Sequence, residues 1–378
     1  MLRFFQVLVD SLNESVIEAA REQGFILVGF SRLRRLRERE EYYREWLAGK
    51  HHATMAYLAR EPERRFDPRV LDDRYRSVVS LGYPYDAPVV PKIDWRAELR
   101  GRIAAYALGR DYHDFVLKRA RTVGDAIKRM RPETVTRSYV DTGPIFDREW
   151  AANAGIGWFG KNTMILNRDH GSYFFLAEIF TSLDFGAPPK PYRDHCGSCR
   201  RCLDLCPTNA LGDGRVMDSR LCISYLTIEN RGPIPRELRP KIGNWIFGCD
   251  ICNEVCPWNE SPAAETYRHD IVPYLPELLA LDNAGFSLRF TVSAIKRAKR
   301  RGLLRNVAVA LGNSGNPAAI PALARSLESE PEPLIRSHAA WALGQIGTAS
   351  AIRALERALL RDPDLSVREE ASMALGEN

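Results

Sequence analysis

His195-Cys196-Gly197-Ser198-Cys199-Arg200-Arg201-Cys202-Leu203-Asp204-Leu205-Cys206-Pro207 opens a stretch that closes with Cys249-Asp250-Ile251-Cys252-Asn253-Glu254-Val255-Cys256-Pro257. These two runs hold all but one of the eight cysteines of this 378-residue chain, and the last, Cys222, lies between them. The first run has the spacing C-x2-C-x2-C-x3-C-P, which in bacterial ferredoxins supplies thiolates to cubane iron–sulfur clusters. The second is the same run without its first cysteine, and Cys222 is the obvious substitute. Eight thiolates serve two [4Fe–4S] clusters. In two-cluster ferredoxins the fourth cysteine of each run crosses to the other cluster. By that rule Cys196, Cys199, Cys202 and Cys256 hold one cluster, and Cys206, Cys222, Cys249 and Cys252 hold the other. Zinc prefers two separated C-x2-C pairs to a triplet closed by proline. Disulfides do not explain the spacing either, and a reducing interior disfavours them.

Working outward, a chain of this length is expected to hold two or three domains. Hydrophobic content of 45% and charged content of 27% fit a soluble globular protein. No run is long and apolar enough to span a membrane. The apolar start, Leu2 to Val9, soon meets Asp10 and Glu14 and offers no small-residue cleavage site, so no signal peptide is expected. The expected setting is the cytoplasm, with no membrane partner, and the chain is expected to be a monomer. A net charge of +6 permits a polyanionic partner without requiring one.

Ahead of the cysteines, helical and extended patterns alternate. Leu12, Val16, Ala19 and Ala20 stand at helical spacing, with Gly24 as the stop. Phe25–Phe30 and Ser77–Tyr83 read as strands, separated by a long charged helix over Leu36–Leu58. Ile103–Leu108 is ambiguous. Asp111–Met130 reads as a basic amphipathic helix and Val135–Val140 as a strand. Asp141-Thr142-Gly143-Pro144 then turns into a helix through Trp150. Trp158–Ser182 reads as a pair of strands joined at Asn167–Gly171. Residues 1–187 are therefore expected to form an α/β (α+β) domain. Pro188, Pro189 and Pro191 mark a linker into a ferredoxin-like domain over 188–262. A helical connector, 263–302, follows. Over 303–378, Ala-Leu-Gly recurs at 310, 342 and 374, a spacing of 32 residues, and Leu323 and Leu355 keep it. Two-helix units of that length stack as HEAT-like repeats.

Further motifs accompany the cysteines. They are Asp141-Thr142-Gly143-Pro144, Ala154-Gly155-Ile156-Gly157-Trp158-Phe159-Gly160-Lys161-Asn162, Gly171-Ser172-Tyr173, Cys222-Ile223-Ser224-Tyr225-Leu226-Thr227 and Lys241-Ile242-Gly243-Asn244-Trp245-Ile246-Phe247-Gly248-Cys249-Asp250. With the split cysteine runs and the C-terminal repeat, they resemble the epoxyqueuosine reductase family over nearly the whole chain. That resemblance implies a cobalamin enzyme whose core is related to cobalamin-dependent reductive dehalogenases. It implies reduction of the epoxycyclopentane of epoxyqueuosine to the cyclopentene of queuosine, at the wobble position of tRNA, the last step of queuosine biosynthesis. Nothing in composition or spacing shows cobalamin. Its common D-x-H-x-x-G signature is absent, because Asp111-Tyr112-His113-Asp114-Phe115-Val116 lacks the glycine, and this agrees with the family. A reductant, not identified by the sequence, must feed the clusters.

The resemblance also implies roles. The net reaction takes up two electrons and two protons and releases water, so a general acid must stand near the epoxide oxygen. The family pattern gives that role to Asp141. Read alone, an aspartate before Thr-Gly-Pro is a turn or cap residue. An apolar cofactor face would raise its pKa by desolvation. By the same match Asp141, Arg65, Ala104, Lys161, Asn162, Ile165, Leu176 and Phe247-Gly248-Cys249-Asp250 line the cobalamin; Arg65 and Lys161 read alone as solvated charges. Lys296, Arg297, Lys299, Arg300, Arg301 and Arg305, with Arg231, are candidate tRNA contacts, and read alone as a solvated helix face. The repeats bring no cysteine. They are expected to serve RNA docking, so that removal from Leu303 onward leaves clusters and cobalamin in place.

Two other functions fit parts of the sequence. One is a reductive dehalogenase of a small molecule, which an RNA-docking repeat does not serve. The other is a ferredoxin-type electron carrier on a helical-repeat scaffold, for which the large domain ahead of the clusters is unnecessary. The count of ligands makes the first test. Cys222→Ala should lose the iron of one cluster and alter the anaerobic absorbance spectrum, whereas full iron content with an unaltered spectrum would remove Cys222 from the ligand set.

Overall fold

The N-terminal unit is built on a four-stranded sheet covered on both faces. The structure, a computed structural model, describes residues 2–86, 93–186, 192–259 and 272–376. Pro188, Pro189 and Pro191 of the expected linker lie outside the described residues, as does 260–271 at the end of the cluster domain and the start of the connector. The elements of the first unit are α1 (Leu2–Glu22), β1 (Leu27–Arg32), α2 (Arg37–Ala48), β2 (Ser77–Pro84), α3 (Tyr112–Met130), β3 (Thr136–Tyr139), α4 (Asp147–Asn153) and β4 (Phe174–Thr181). The strand order is β1-β2-β4-β3 and every pairing is antiparallel. Alternation of helix and strand along the chain thus gives the α+β form rather than a parallel sheet. On β4 the alternation is two-sided. Phe175, Ala177 and Ile179 pack with Val16 of α1 and Val116, Val123 and Ile127 of α3. Phe174 and Phe180, on the opposite face, pack with Ala151 and Trp150 of α4. A sheet buried on both faces is why β2 is an unbroken buried run rather than an alternating one.

Two local expectations differ from the structure. The charged helix stops at Gly49, and Lys50 and Ala53 turn back with φ of 56° and 52°, so Ala56–Leu58 is a separate 3-10 turn. A glycine C-cap followed by left-handed residues ends a helix whatever the charge pattern beyond it. The segment Trp158–Asn167 is not one strand. Trp158–Phe159 folds back on Ile165–Leu166, because Asn162 Oδ1 accepts the Met164 N–H and Thr163 takes φ 65°. The expected turn does close, at the Asn167–Gly171 bridge. The ambiguous segment resolves into two residues, Arg102–Ile103, paired in parallel with Trp245–Phe247, then a 3-10 turn, Ala105–Ala107. That pairing ties the first unit to the cysteine-bearing unit.

The C-terminal helices are α5 (Lys299–Ser314), α6 (Ile320–Ser329), α7 (Pro333–Ile346), α8 (Ala349–Arg361) and α9 (Leu365–Gly376). The repeated Ala-Leu-Gly has a steric reason. A Cβ on Gly312 would stand 2.8 Å from the Ala342 Cα, and one on Gly344 would stand 2.7 Å from the Ala374 Cβ. Each glycine lets the equivalent helix of the next repeat approach closely. Among the described residues no helix is long and apolar enough to cross a membrane.

The repeats are not an appendage. One continuous apolar core joins Ile103, Leu226, Ile246 and Phe247 to Leu304, Val307, Ala308 and Leu311 of α5 and onward to α9. Arg305, fully buried, donates to the carbonyls of Leu226, Asn230 and Gly232, while Asn306 donates to those of Thr227 and Ile246. Asn313 donates to the carbonyls of Arg239 and Gly243. His338 Nε2 accepts from the Ile234 N–H, and burial holds this imidazole well below its ordinary pKa, hence neutral. Residues 226–247 are therefore shaped by α5 and its neighbours, and the expectation that the repeats can be cut away at Leu303 does not hold. Arg305→Ala leaves one buried and two part-buried carbonyls without this donor and should cost ~2–3 kcal/mol of stability, read by denaturant unfolding of the iron-loaded protein. Truncation at Leu303 should lose bound iron as well; a truncated chain that keeps it would show the shared core to be dispensable.

Candidate active site

A cleft of about 1480 Å³ opens where the three parts meet. Ordinary small-molecule pockets span roughly 300–1,000 Å³, so this one suits a large ligand. The first unit contributes Arg65, Tyr106, Tyr112, His113 and Asp141 to its walls. The cysteine-bearing unit contributes Ser224, Ile228 and Phe247, and the approach to α5 contributes Lys296, Arg297 and Lys299.

Asp141 follows β3 directly. It takes φ 58°, a left-handed conformation that costs a non-glycine residue on the order of 1 kcal/mol or more. The Thr142 N–H turns back to the Val140 carbonyl at 2.5 Å and fixes this corner. The Asp141 side chain is 63% exposed, to the cleft rather than to the outer surface. Tyr112 Oη donates to Asp141 Oδ2 at 2.8 Å, and His113 Nε2 lies 3.3 Å from the same oxygen. His113 Nδ1 meets Asp111 Oδ1 at 2.7 Å, and the same oxygen caps α3 by accepting the His113 N–H. Tyr112 is held flat against Phe175, with centroids 4.2 Å apart.

These contacts decide the charge. The walls of the cleft push the Asp141 carboxyl up, but hydrogen bonds from His113 and Tyr112 outweigh them and hold it below its ordinary value. Burial likewise pulls His113 down, and its two carboxylate partners overcome that and raise it. The chain by itself thus favours the charged form of both Asp141 and His113, not the raised acid expected from an apolar surrounding. Asp111, Tyr112 and His113 were in plain view in the sequence, as a broken cobalamin motif. Their partnership with Asp141 was not, because 28 residues separate His113 from Asp141.

The cysteines are free and half-buried. The cysteines feel one another. Cys256, Cys196 and Cys199 act on Cys202, Cys206 acts on Cys222, Cys222 on Cys249, and Cys249, Cys222 and Cys202 on Cys252. Burial pushes Cys202 up to about 11 and Cys252 well above the usual thiol value, with neighbouring sulfurs adding to the shift. Backbone N–H groups of Ser224 and Tyr225 point at Cys222, and that of Ile251 at Cys249. Soft donors of this kind become thiolates when a metal centre replaces their protons.

The other singled-out residues divide. Arg65 and Phe247 line the cleft with Asp141. Ala104, Ile165, Gly248 and Asp250 are buried, with Asp250 Oδ2 accepting the Ala105 N–H and burial pushing it up to about 6. Lys161 Nζ donates to the carbonyls of Gly197 and Cys199, and Asn162 to that of Cys252, so both brace the cysteine loops. Leu176 and Cys249 are half-buried. Among the basic residues, Lys296, Arg297 and Lys299 reach the cleft, Arg231 donates to the Arg297 carbonyl at 2.7 Å, and Arg301 is exposed beside Glu332. Arg305 and Arg300 need correction as RNA contacts. Arg305 is fully buried on carbonyls, and Arg300 is spent on a mostly buried pair with Glu330. Helical spacing alone does not tell which side of α5 is covered. Sequence reasoning also passed over Tyr57, which lines the cleft with the Arg297 guanidinium 5.9 Å from its ring centroid, Asp147, which lines it too, and the buried Glu178.

The His113–Asp141 pair has a pH window. Asp141, with a lowered pKa, adds stability above its unfolded value of 3.8 and loses it as pH falls through the folded value. His113, with a raised pKa, adds stability below its unfolded value of 6.5 and loses it as pH rises through the folded value. The coupling between His113→Asn and Asp141→Asn in thermal unfolding should be greatest between the two unfolded values, 3.8 and 6.5, and fade as pH falls or rises through the two folded values. Because Asp141 is open to cleft water, its size should be ~0.5 kcal/mol. A coupling that does not change with pH would exclude the ion pair.

Comparison with known proteins agrees with this architecture. Residues 195–259 match the 4Fe-4S double cluster binding domain, and residues 289–376 match HEAT repeats. Residues 65–142, which end just past Asp141, match the family described as "Epoxyqueuosine reductase QueG, DUF1730". The epoxyqueuosine reductase of Pseudomonas aeruginosa is 39% identical over 344 residues, 87% of this chain and 93% of that protein. A crystal structure of selenomethionine-labelled epoxyqueuosine reductase superposes with a TM-score of 0.88 at 33% identity, over 98% of this chain and 99% of the other. A crystal structure of epoxyqueuosine reductase with a tRNA-Tyr epoxyqueuosine-modified stem loop gives 0.88 at 32% identity, with the same coverage. The chain therefore belongs to the epoxyqueuosine reductase family.

Proposed function

We propose that this protein reduces epoxyqueuosine to queuosine at the wobble position of tRNA, the last step of queuosine biosynthesis. Electrons from a reductant would pass through two [4Fe–4S] clusters to cobalamin in the cleft, with Asp141 as proton donor. The observation that carries this reading is the Asp141 carboxylate, held in a strained turn and facing a large cleft that basic residues rim.

The cleft suits cobalamin in three respects. Its volume exceeds that of ordinary pockets, and Tyr106 and Phe247 give it an aromatic wall. Arg65 Nε is a buried donor with no partner, facing a space where a polar ligand group could accept its hydrogen bond. Arg65, Asp141 and Phe247 would touch the cofactor, with Ala104, Ile165, Leu176, Gly248, Cys249 and Asp250 behind them and Lys161 and Asn162 bracing the adjoining loops. Bound there, cobalamin supplies a low-valent cobalt that stores the electrons. Phe247 and Ser224, each two residues from a cysteine of the set Cys206, Cys222, Cys249 and Cys252, line the cleft, and that set is taken as the inner one. Cys196, Cys199, Cys202 and Cys256 form the outer set, where the reductant would deliver.

At the mouth, Lys296, Arg297 and Lys299, with Arg231 and Arg301, would hold tRNA phosphates while the wobble nucleotide enters. This basic rim, and the relative solved with a modified tRNA stem loop, favour RNA over the small halogenated substrate of a dehalogenase. Asp141→Asn keeps size and much of the hydrogen bonding but cannot carry the proton. The variant should fold, hold both clusters and cobalamin, and convert epoxyqueuosine tRNA at least ~100-fold more slowly in a single turnover. Near-normal conversion would leave Asp141 as a turn residue only.

A further inference from the structure

The sheet buries a carboxyl group that its pattern does not require. Along β4, the residues facing α4 are Phe174, Leu176, Glu178 and Phe180, and Glu178 alone among them is polar. It is 0% exposed, and so is its cross-strand partner Ser80 on β2. Neither Oε of Glu178 has a hydrogen-bond donor among the described residues, and the Ser80 hydroxyl is equally unmatched. What meets Glu178 is another carboxyl, that of Asp147 at the start of α4, whose Oδ1 is also buried without a donor. Two ionised carboxylates cannot share such a place; one proton between them, with Glu178 O–H donating to Asp147, makes the contact favourable. Burial pushes Glu178 well above the carboxylate range, and burial together with the charge of Asp141 pushes Asp147 up to about 6. Asp147 also lines the cleft, on the same loop-and-helix segment as Asp141. The other groups facing the pair are Arg148, whose Nη1 is donated to the Thr163 carbonyl, Tyr112 of α3 and Tyr139 on β3; Glu149 of α4 is paired with Arg39.

This bears on the proton balance of the proposed reaction, on which the inference rests. Opening the epoxide and releasing its oxygen as water takes two electrons and two protons, and the electrons come from the clusters. Two places near Asp141 favour a proton: His113, which lies between the Asp111 and Asp141 carboxyls, and the buried contact of Asp147 with Glu178. We propose that the Asp147–Glu178 pair is a proton store that supplies one of the two protons of each turnover through Asp141, the other coming from His113, with both refilled from solvent through the cleft. Glu178 and Asp147 are positioning residues in this scheme, since Asp141 alone meets the substrate.

Glu178→Gln preserves volume and a hydrogen-bond donor but cannot release a proton. In the iron-loaded holoprotein, wild-type thermal stability should fall as pH rises from the ordinary carboxylate range through about 6, because the folded pair retains a proton that ordinary carboxylates of the unfolded chain give up. Glu178→Gln should flatten that slope. In single-turnover conversion of epoxyqueuosine tRNA it should bind tRNA and carry clusters as wild type does, yet react ~10-fold or more slowly, with the alkaline limb of the rate profile lost. An unchanged stability slope means that the pair holds no proton, and the proposal falls. A flattened slope with a wild-type rate profile overturns it too, since the proton is then stored but not used. Asp147→Asn repeats both measurements should the Gln variant fail to fold. The stability arm needs no substrate, so inability of the wild type to convert epoxyqueuosine tRNA would sink the functional reading without touching the evidence for the shared proton.

Discussion

The buried Arg305 guanidinium, closed on the carbonyls of Leu226, Asn230 and Gly232, is the contact on which the rest of the structure depends. A charge taken out of water is tolerated only when its donors are all matched, and here a loop of non-repetitive backbone supplies the match. Asn306 does the same for Thr227 and Ile246. The Thr227 hydroxyl in turn accepts the Gly248 N–H. One helix of the repeat therefore fixes the backbone that leads into Cys249, and with it one wall of the cleft. Repeat proteins are often pictured as docking platforms joined to a catalytic body. Here the first repeat helix is part of that body's core.

The cleft shows a second constraint, which is how to keep protons available in a wall packed with carboxyl groups. Asp111, Asp141, Asp147, Glu178 and Asp250 all stand in or beneath it. Their environments drive them apart. Asp141 is held low by hydrogen-bond donors, whereas burial raises Glu178, Asp147 and Asp250. Separation of pKa values among neighbouring carboxyls is how one site holds charged and protonated forms together at neutral pH. Backbone strain at Asp141 and Thr163, both at left-handed φ, falls on the two turns that frame this wall. Strain of that kind persists where surrounding contacts over-determine a position.

The sequence by itself determined the cofactor chemistry of the cysteines, the repeat and the three-part order of the chain. Each of these is written in local spacing: C-x2-C-x2-C-x3-C-P, an Ala-Leu-Gly every 32 residues, apolar strands bounded by turns. Motifs around Asp141 and Cys222 carried the family. Tertiary structure alone decided what spacing does not encode. It set the antiparallel order of the sheet, which follows from long-range pairing of β2 with β4 and not from the alternation of elements. It buried Arg305 and Arg300 while leaving Lys296, Arg297 and Lys299 at the cleft, because which side of a helix is covered depends on what packs there. It brought His113 and Tyr112 to Asp141 and Asp147 to Glu178, pairs far apart in sequence whose charges are fixed by the groups they meet on folding.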